Sequence, residues 1–168
     1  MTAIENKIYV YITEGNKGIL KFPKCNIETS VYIGRNGATN DKKEGDGKTP
    51  LGEFELGITL SMQRDITQDM YWVDDVKSKY YNQLVDITKV QKDWESAEHL
   101  IDYPVEYECL IEIKTNPNNI PGKGSAIFLH CSNNKPTAGC IAVDRSVMKK
   151  IIENVDERTC IEILLQSC

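Results

Sequence analysis

Apolar and polar residues alternate with period two over much of this chain, the pattern of strands with one face buried. Lys7-Ile8-Tyr9-Val10-Tyr11-Ile12 predicts a first strand, and Glu14-Gly15-Asn16-Lys17-Gly18 a turn into a hairpin partner at Ile19-Leu20-Lys21-Phe22. Pro23 ends that partner, since proline has no donor for a ladder. Ser30 to Gly34 and Glu53 to Ile58 predict two more strands, separated by a loop, Gly34 to Gly52, rich in Gly, Asn, Asp and Lys. Residues 62–106 lose the alternation. They hold both tryptophans and four tyrosines (Tyr71, Tyr80, Tyr81, Tyr103) among many charges, and read as an irregular insertion or lid with a short helix over Trp94 to Leu100. Strands resume at Tyr107 to Ile113, with Tyr107, Cys109, Ile111 and Ile113 on one face, and at Ser125 to His130, an apolar run with His130 at its end. Asp144 is a suitable N-cap for an amphipathic helix carrying Val147, Met148, Ile151, Ile152 and Val155. Cys160 to Leu164 predicts the last strand. Strands with one late helix and a loop-rich middle imply a mainly β fold, a sandwich or open barrel.

The 168 residues fit one domain over 1–168, large enough to bury a core without disulfide staples. A net charge of −5 with no basic run excludes non-specific nucleic-acid binding. No apolar run is long enough to cross a bilayer, and the first residues show no leader peptide, so the expectation is a protein that works inside the cell or a chain lacking its export segment. The six cysteines (Cys25, Cys109, Cys131, Cys140, Cys160, Cys168) form no CxxC pair and no zinc-ribbon spacing, and are expected as reduced thiols. Cys109 and Cys160 lie on strand-like segments and are expected as small core hydrophobes. Nothing in the chain calls for a cofactor, and a monomer is expected.

The chemistry concentrates in Phe128 to Val143. A buried strand delivers His130, a polar loop follows, and Gly139-Cys140 opens another apolar segment. Acyl transfer needs a thiolate, a base to generate it and donors for the developing oxyanion. Cys140 is the candidate thiol and His130 the candidate base. Gly139 lets a substrate backbone approach, and the amides of Gly139 and Cys140 are candidate oxyanion donors. On the residues alone, one His and one Cys ten positions apart are outweighed by a strand-end histidine and a core cysteine.

Thr137-Ala138-Gly139-Cys140-Ile141 resembles the signature of the YkuD family of L,D-transpeptidases. Two further stretches are similar to that family: Gly45-Asp46-Gly47-Lys48-Thr49-Pro50-Leu51-Gly52-Glu53-Phe54, and Gly122 to His130. Ser96-Ala97-Glu98-His99-Leu100 looks like a segment of one of its branches. Three motifs in order over residues 30–165 make the resemblance specific. Two positions depart from it: Ala138 stands where many members have His, and Ala142 where many have Arg or Asn. The resemblance implies a YkuD-like fold of mixed sheets with a helix after the catalytic cysteine. It further implies that His130 deprotonates Cys140, that the thiolate attacks the third residue of a peptidoglycan stem, and that D-alanine leaves. The thioester then passes to an amine of a second stem, giving a 3→3 cross-link, or to water, giving an L,D-carboxypeptidase. Donor and acceptor stem peptides are the implied partners, carbapenems the implied inhibitors, and the cell envelope the implied place of action. The carbonyl of Cys131 is the implied orienter of the imidazole.

Blander roles stand beside these. Thr137 either bonds near the cysteine or simply begins the turn. His99 is either a second imidazole at the site or a packing residue, and Arg145 either a binder of a substrate carboxylate or a first-turn residue of the helix. Trp94 and its aromatic neighbours either grip substrate or fill core. Glu98 and Lys135 are expected as solvated charges. Gly45 to Pro50 lacks Walker spacing and reads as a turn ordering the rim of the site. The competing functions are a zinc module built on His130, Cys131, Cys140 and His99, and a peptidoglycan-binding relative without activity.

Overall fold

The computed structural model describes residues 2, 3 and 5–167, so Cys168 lies outside the described residues. The strands are β1 (Lys7–Glu14), β2 (Lys17–Phe22), β3 (Ile27–Tyr32), β4 (Ala38–Thr39), β5 (Thr49–Pro50), β6 (Gly52–Ser61), β7 (Met70–Val73), β8 (Leu84–Asp86), β9 (Ala97–His99), β10 (Cys109–Ile113), β11 (Phe128–Cys131), β12 (Ile141–Val143) and β13 (Cys160–Leu165), with one α-helix, α1 (Arg145–Asn154). Eight of them close a barrel in the order β1-β13-β6-β10-β11-β12-β3-β2. The expected sandwich or open barrel is therefore a mixed sheet that closes on itself. The closure comes from β1, which pairs parallel to β13 on one side and antiparallel to β2 on the other, leaving no edge of this sheet unpaired.

The alternation seen in the sequence decides what fills the barrel. Ile8, Val10, Leu20, Phe22, Ile111, Leu129, Ile141, Ile161 and Ile163 point inward, and Met148 and Ile151 of α1 join the same core. Asp144 caps α1, its side chain accepting from the Ser146 amide.

A second core lies outside the barrel wall. Leu60, Leu110, Phe128 and Cys140 pack there under Ile66, Trp72, Leu100 and Tyr107. Residues 62–106 are mostly turns and loops, as expected, but are organised around short strands rather than an α-helix. They carry a three-stranded sheet, β8-β7-β9, whose Trp72 meets the Phe128 ring edge-on at 4.8 Å. The helix expected over Trp94 to Leu100 is instead strand β9 followed by a 3-10 turn, Leu100–Asp102. Pairing with Tyr71, Trp72 and Val73 overrides the local helix propensity.

Three other expectations shift. Tyr107 sits in a 3-10 turn ahead of β10 and faces the outer core, not the barrel interior with Cys109, Ile111 and Ile113. Cys160 is half-buried, because Ile161 and Ile163 take the inward phase of β13. Strand β11 begins at Phe128 rather than Ser125, since Ala126 adopts φ +54°, which no extended strand permits. No helix among the described residues is long and apolar enough to cross a membrane.

Candidate active site

Strands β11 and β12 run parallel, with Leu129 opposite Ile141 and His130 opposite Ala142. Parallel neighbours need a crossover, and here residues 132–140 provide it. Within that loop Thr137 bridges Gly34, just past β3, and Cys140 stands one step ahead of the ladder, beside Phe128. Side chains alternate across a strand, so His130, Cys140 and Ala142 share the outer face while Leu129, Ile141 and Val143 fill the barrel.

Two clefts meet at Cys140. The larger, about 270 Å³, is lined by His130, Tyr107, Glu98, Tyr103, Thr137 and Ala138, among others. Ala142, the register partner of His130, also lines it. The smaller, about 100 Å³, is lined by Arg35, Lys42, Glu44, Asp74, Glu98 and Gly139. Glu98, Ala138 and Cys140 belong to both.

His130 is buried, and its Nδ1 lies 2.8 Å from the Cys131 carbonyl. A carbonyl can only accept, so Nδ1 carries the proton and Nε2 keeps its lone pair. Burial lowers the imidazole below its usual pKa, partly offset by that carbonyl and by Glu106. The ring also stands edge-on to Tyr107 at 5.6 Å.

Cys140 is 8% exposed. Its thiol donates to the Ala126 carbonyl at 3.1 Å, and the Phe128 amide donates to the sulfur at 3.3 Å. The thiol is therefore not hydrogen-bonded to His130. The left-handed turn at Ala126 aims a carbonyl at the sulfur, and that carbonyl, in place of the imidazole, accepts the thiol's hydrogen bond in the resting state. Burial, reinforced by the Glu98 carboxylate, pushes the thiol up to about 12, against the Phe128 amide and Lys42.

Thr137 acts as a clip. Its Oγ1 donates to the Cys140 carbonyl at 2.6 Å and accepts from the Gly139 amide at 3.0 Å. The Gly139 amide is thus engaged, so of the two expected oxyanion donors it is not available. Gly139 itself has φ +150°, and a Cβ there would come within 2.9 Å of the Lys48 carbonyl. Thr49, fully buried, donates to the Gly139 carbonyl and accepts from the Gly34 amide, both at 2.8 Å. The Gly45 to Pro50 stretch therefore holds the cysteine turn from behind. Thr137→Val removes both clip bonds at a partly buried position. It is expected to cost about 1–3 kcal/mol, read as a lowered urea midpoint at unchanged slope.

Three other residues singled out from the sequence do not line either cleft. His99 stacks on Tyr71 at 4.3 Å, with Nε2 on the Gln68 carbonyl and Nδ1 near Asp102. Trp94 is buried between Tyr71 and Tyr80, where it fills core. Arg145 is ion-paired to Glu108. The residue that sequence reasoning passed over is Glu98, whose expected solvated carboxylate is instead turned into the site. Its Oε1 accepts from Tyr107 Oη at 2.9 Å, and its Oε2 is buried without a hydrogen-bond partner. Alternation along Ala97–His99 was too short to reveal that phase. Among the described residues, no group of three or more His, Cys, Asp or Glu is arranged to hold a metal.

Two solved structures are similar to this chain. The helical cell shape determining protein Pgp2 from Campylobacter jejuni matches at 15% identity and a TM-score of 0.49, covering 96% of this chain and 48% of that one. Mycobacterium tuberculosis L,D-transpeptidase 1 matches at 12% identity and a TM-score of 0.39, covering 94% and 62%. The chain thus spans about half the length of the first and less than two thirds of the second. No curated protein matches its sequence. The model of the YkuD L,D-transpeptidase catalytic domain matches residues 3–163, and the chain belongs to that family.

Proposed function

We propose that the chain is a peptidoglycan L,D-transpeptidase that works through a thioester on Cys140, with His130 as base. The observation that carries this reading is the shared outer face of β11 and β12, which opens His130 and Cys140 onto one cleft. The Cys131 carbonyl fixes the tautomer, leaving Nε2 to take the thiol proton. A carbonyl carbon of the donor stem entering the larger cleft is attacked by sulfur, and D-alanine leaves with the proton returned from Nε2. With the Gly139 amide held by Thr137, the developing oxyanion falls to the amide of Cys140. An amine of a second stem then resolves the thioester as a 3→3 cross-link. Water in its place gives the carboxypeptidase outcome. The substrate puts this chemistry in the cell envelope.

Acylation is the step to test. Incubation with a carbapenem is expected to add one drug mass to the intact protein, localised to the peptide carrying Cys140 and absent in Cys140→Ala. A folded wild-type protein that gains no mass, yet binds muropeptides, would replace this reading with the inactive peptidoglycan-binding one.

A further inference from the structure

Glu98 presents an arrangement that attack on a donor stem does not use. The residue is half-buried, and the covered part is its carboxyl end. One oxygen is tied to Tyr107, and the other, Oε2, is the only buried side-chain oxygen or nitrogen among the described residues without a partner. The neighbouring carboxylates are occupied differently. Glu44 Oε1 accepts from both Tyr81 Oη at 2.7 Å and Ser125 Oγ at 2.6 Å, and Asp74 Oδ1 accepts from Ser96 Oγ at 2.6 Å. Glu98 lines both clefts, as does Cys140. His130 lines only the larger one; the smaller is walled by the acids Glu44, Asp74 and Glu98 together with Arg35 and Lys42, of which Lys42 is already paired with Asp46.

We infer that Glu98 is the acceptor-binding residue of this site, receiving through Oε2 the ammonium group of the incoming amine. The inference rests on the transpeptidase reading above. An orphaned buried acceptor is satisfied by a donor, and an ammonium is a donor whose charge also offsets the acids Glu44 and Asp74. Once bound, the ammonium passes one proton to Oε2 and becomes a neutral amine. Its nitrogen bonds to the thioester carbonyl carbon. A second proton goes to His130 Nε2, the carbon–sulfur bond breaks, and the thiolate takes that proton from the imidazolium. The products are the amide, the neutral thiol and a protonated Glu98, which returns its proton to solvent. Burial raises the Glu98 carboxyl to about 7, a closer match to an amine than an exposed carboxylate gives.

The test reads how the thioester divides between acceptors. A stem tetrapeptide ending in a diamino acid and D-alanine serves as donor and acceptor, and the ratio of cross-linked dimer to hydrolysed tripeptide is measured by mass. The ratio is set after acylation, so changes in acylation rate cancel. Glu98→Gln is expected to lower it at least tenfold, while trapping by hydroxylamine, which is uncharged at neutral pH, keeps its share against water. Glu98→Asp keeps the charge, shortens the reach and is expected to lower the ratio as well; it answers the question where Glu98→Gln fails to fold. An unchanged ratio overturns the inference alone, as does a parallel fall in hydroxylamine trapping; a wild-type protein that only hydrolyses overturns the transpeptidase reading with it, in favour of the carboxypeptidase outcome. A wild-type protein that forms no thioester overturns the transpeptidase reading as well.

Discussion

His130→Gln is expected to slow acylation of Cys140 by about 10³-fold at neutral pH. The size follows from the resting thiol, which donates to a backbone carbonyl and is held at about 12. At pH 7.5 only about one molecule in 30,000 would then be thiolate, so chemistry without a base must wait for that fraction. The pH profiles should differ in shape as well as height. With His130 as the proposed base, which must be neutral to act and whose pKa burial holds below the usual 6.5, the wild-type rate should be level through neutral pH and fall in acid as Nε2 protonates. In His130→Gln it should climb about tenfold per pH unit into alkali, tracking free thiolate. Acylation kinetics by intact mass over pH 5–9 check both. A variant within tenfold of the wild type, or a wild-type rate that itself climbs steadily with pH, would remove His130 from the role of base.

The barrel was legible because period two says which side chains face inward. The strands β1, β2, β6, β10 and β13 all lie where alternation put them, to within a few residues at their ends. Closure was not legible, because the parallel pairing of β1 with β13 joins the two ends of the chain and leaves no local mark. The small sheet within residues 62–106, and the strand β9 that stands where a helix was expected, were hidden for a related reason. Strands of three or four residues are too short to show a period, and their stability comes from packing Trp72 and Leu100 on Phe128 and Leu110. His130 and Cys140 were legible as a pair only through the family motif. The Ala126 carbonyl that holds the thiol depends on a positive φ at a residue other than glycine, which composition does not announce. Glu98 was read by residue type, and a glutamate is ordinarily solvated. What turned it inward is the phase of β9, where its neighbour Ala97 packs with Val73, Val85 and Trp94 in a separate small core.

That inward turn has a cost which pH should expose. Glu98 ionises near 4.5 when solvated and near 7 in the fold, chiefly from burial, with Asp74 and Glu44 adding repulsion and Tyr107 offsetting part. Between those values the native state holds a proton that the unfolded chain has lost. This site therefore favours the fold most below pH 4.5 and progressively less as pH rises through 7, where the native state must carry an ionised carboxylate with one oxygen unpartnered. A shift of that size corresponds to about 3 kcal/mol at pH 8. Glutamine keeps the bond from Tyr107 and carries no charge, though its amide brings donors that want partners. Glu98→Gln is thus expected to be more stable than the wild type by about 1–3 kcal/mol at pH 8, with the gain fading by pH 4.5. Urea unfolding at the two pH values measures it. A variant less stable at pH 8, or a gain of equal size at both, would show that the carboxylate finds solvation or a cation in the folded protein. If the gain appears alongside lost cross-linking, the same atom is unfavourable to the fold and required by the reaction, the relation expected of a functional group rather than a packing one.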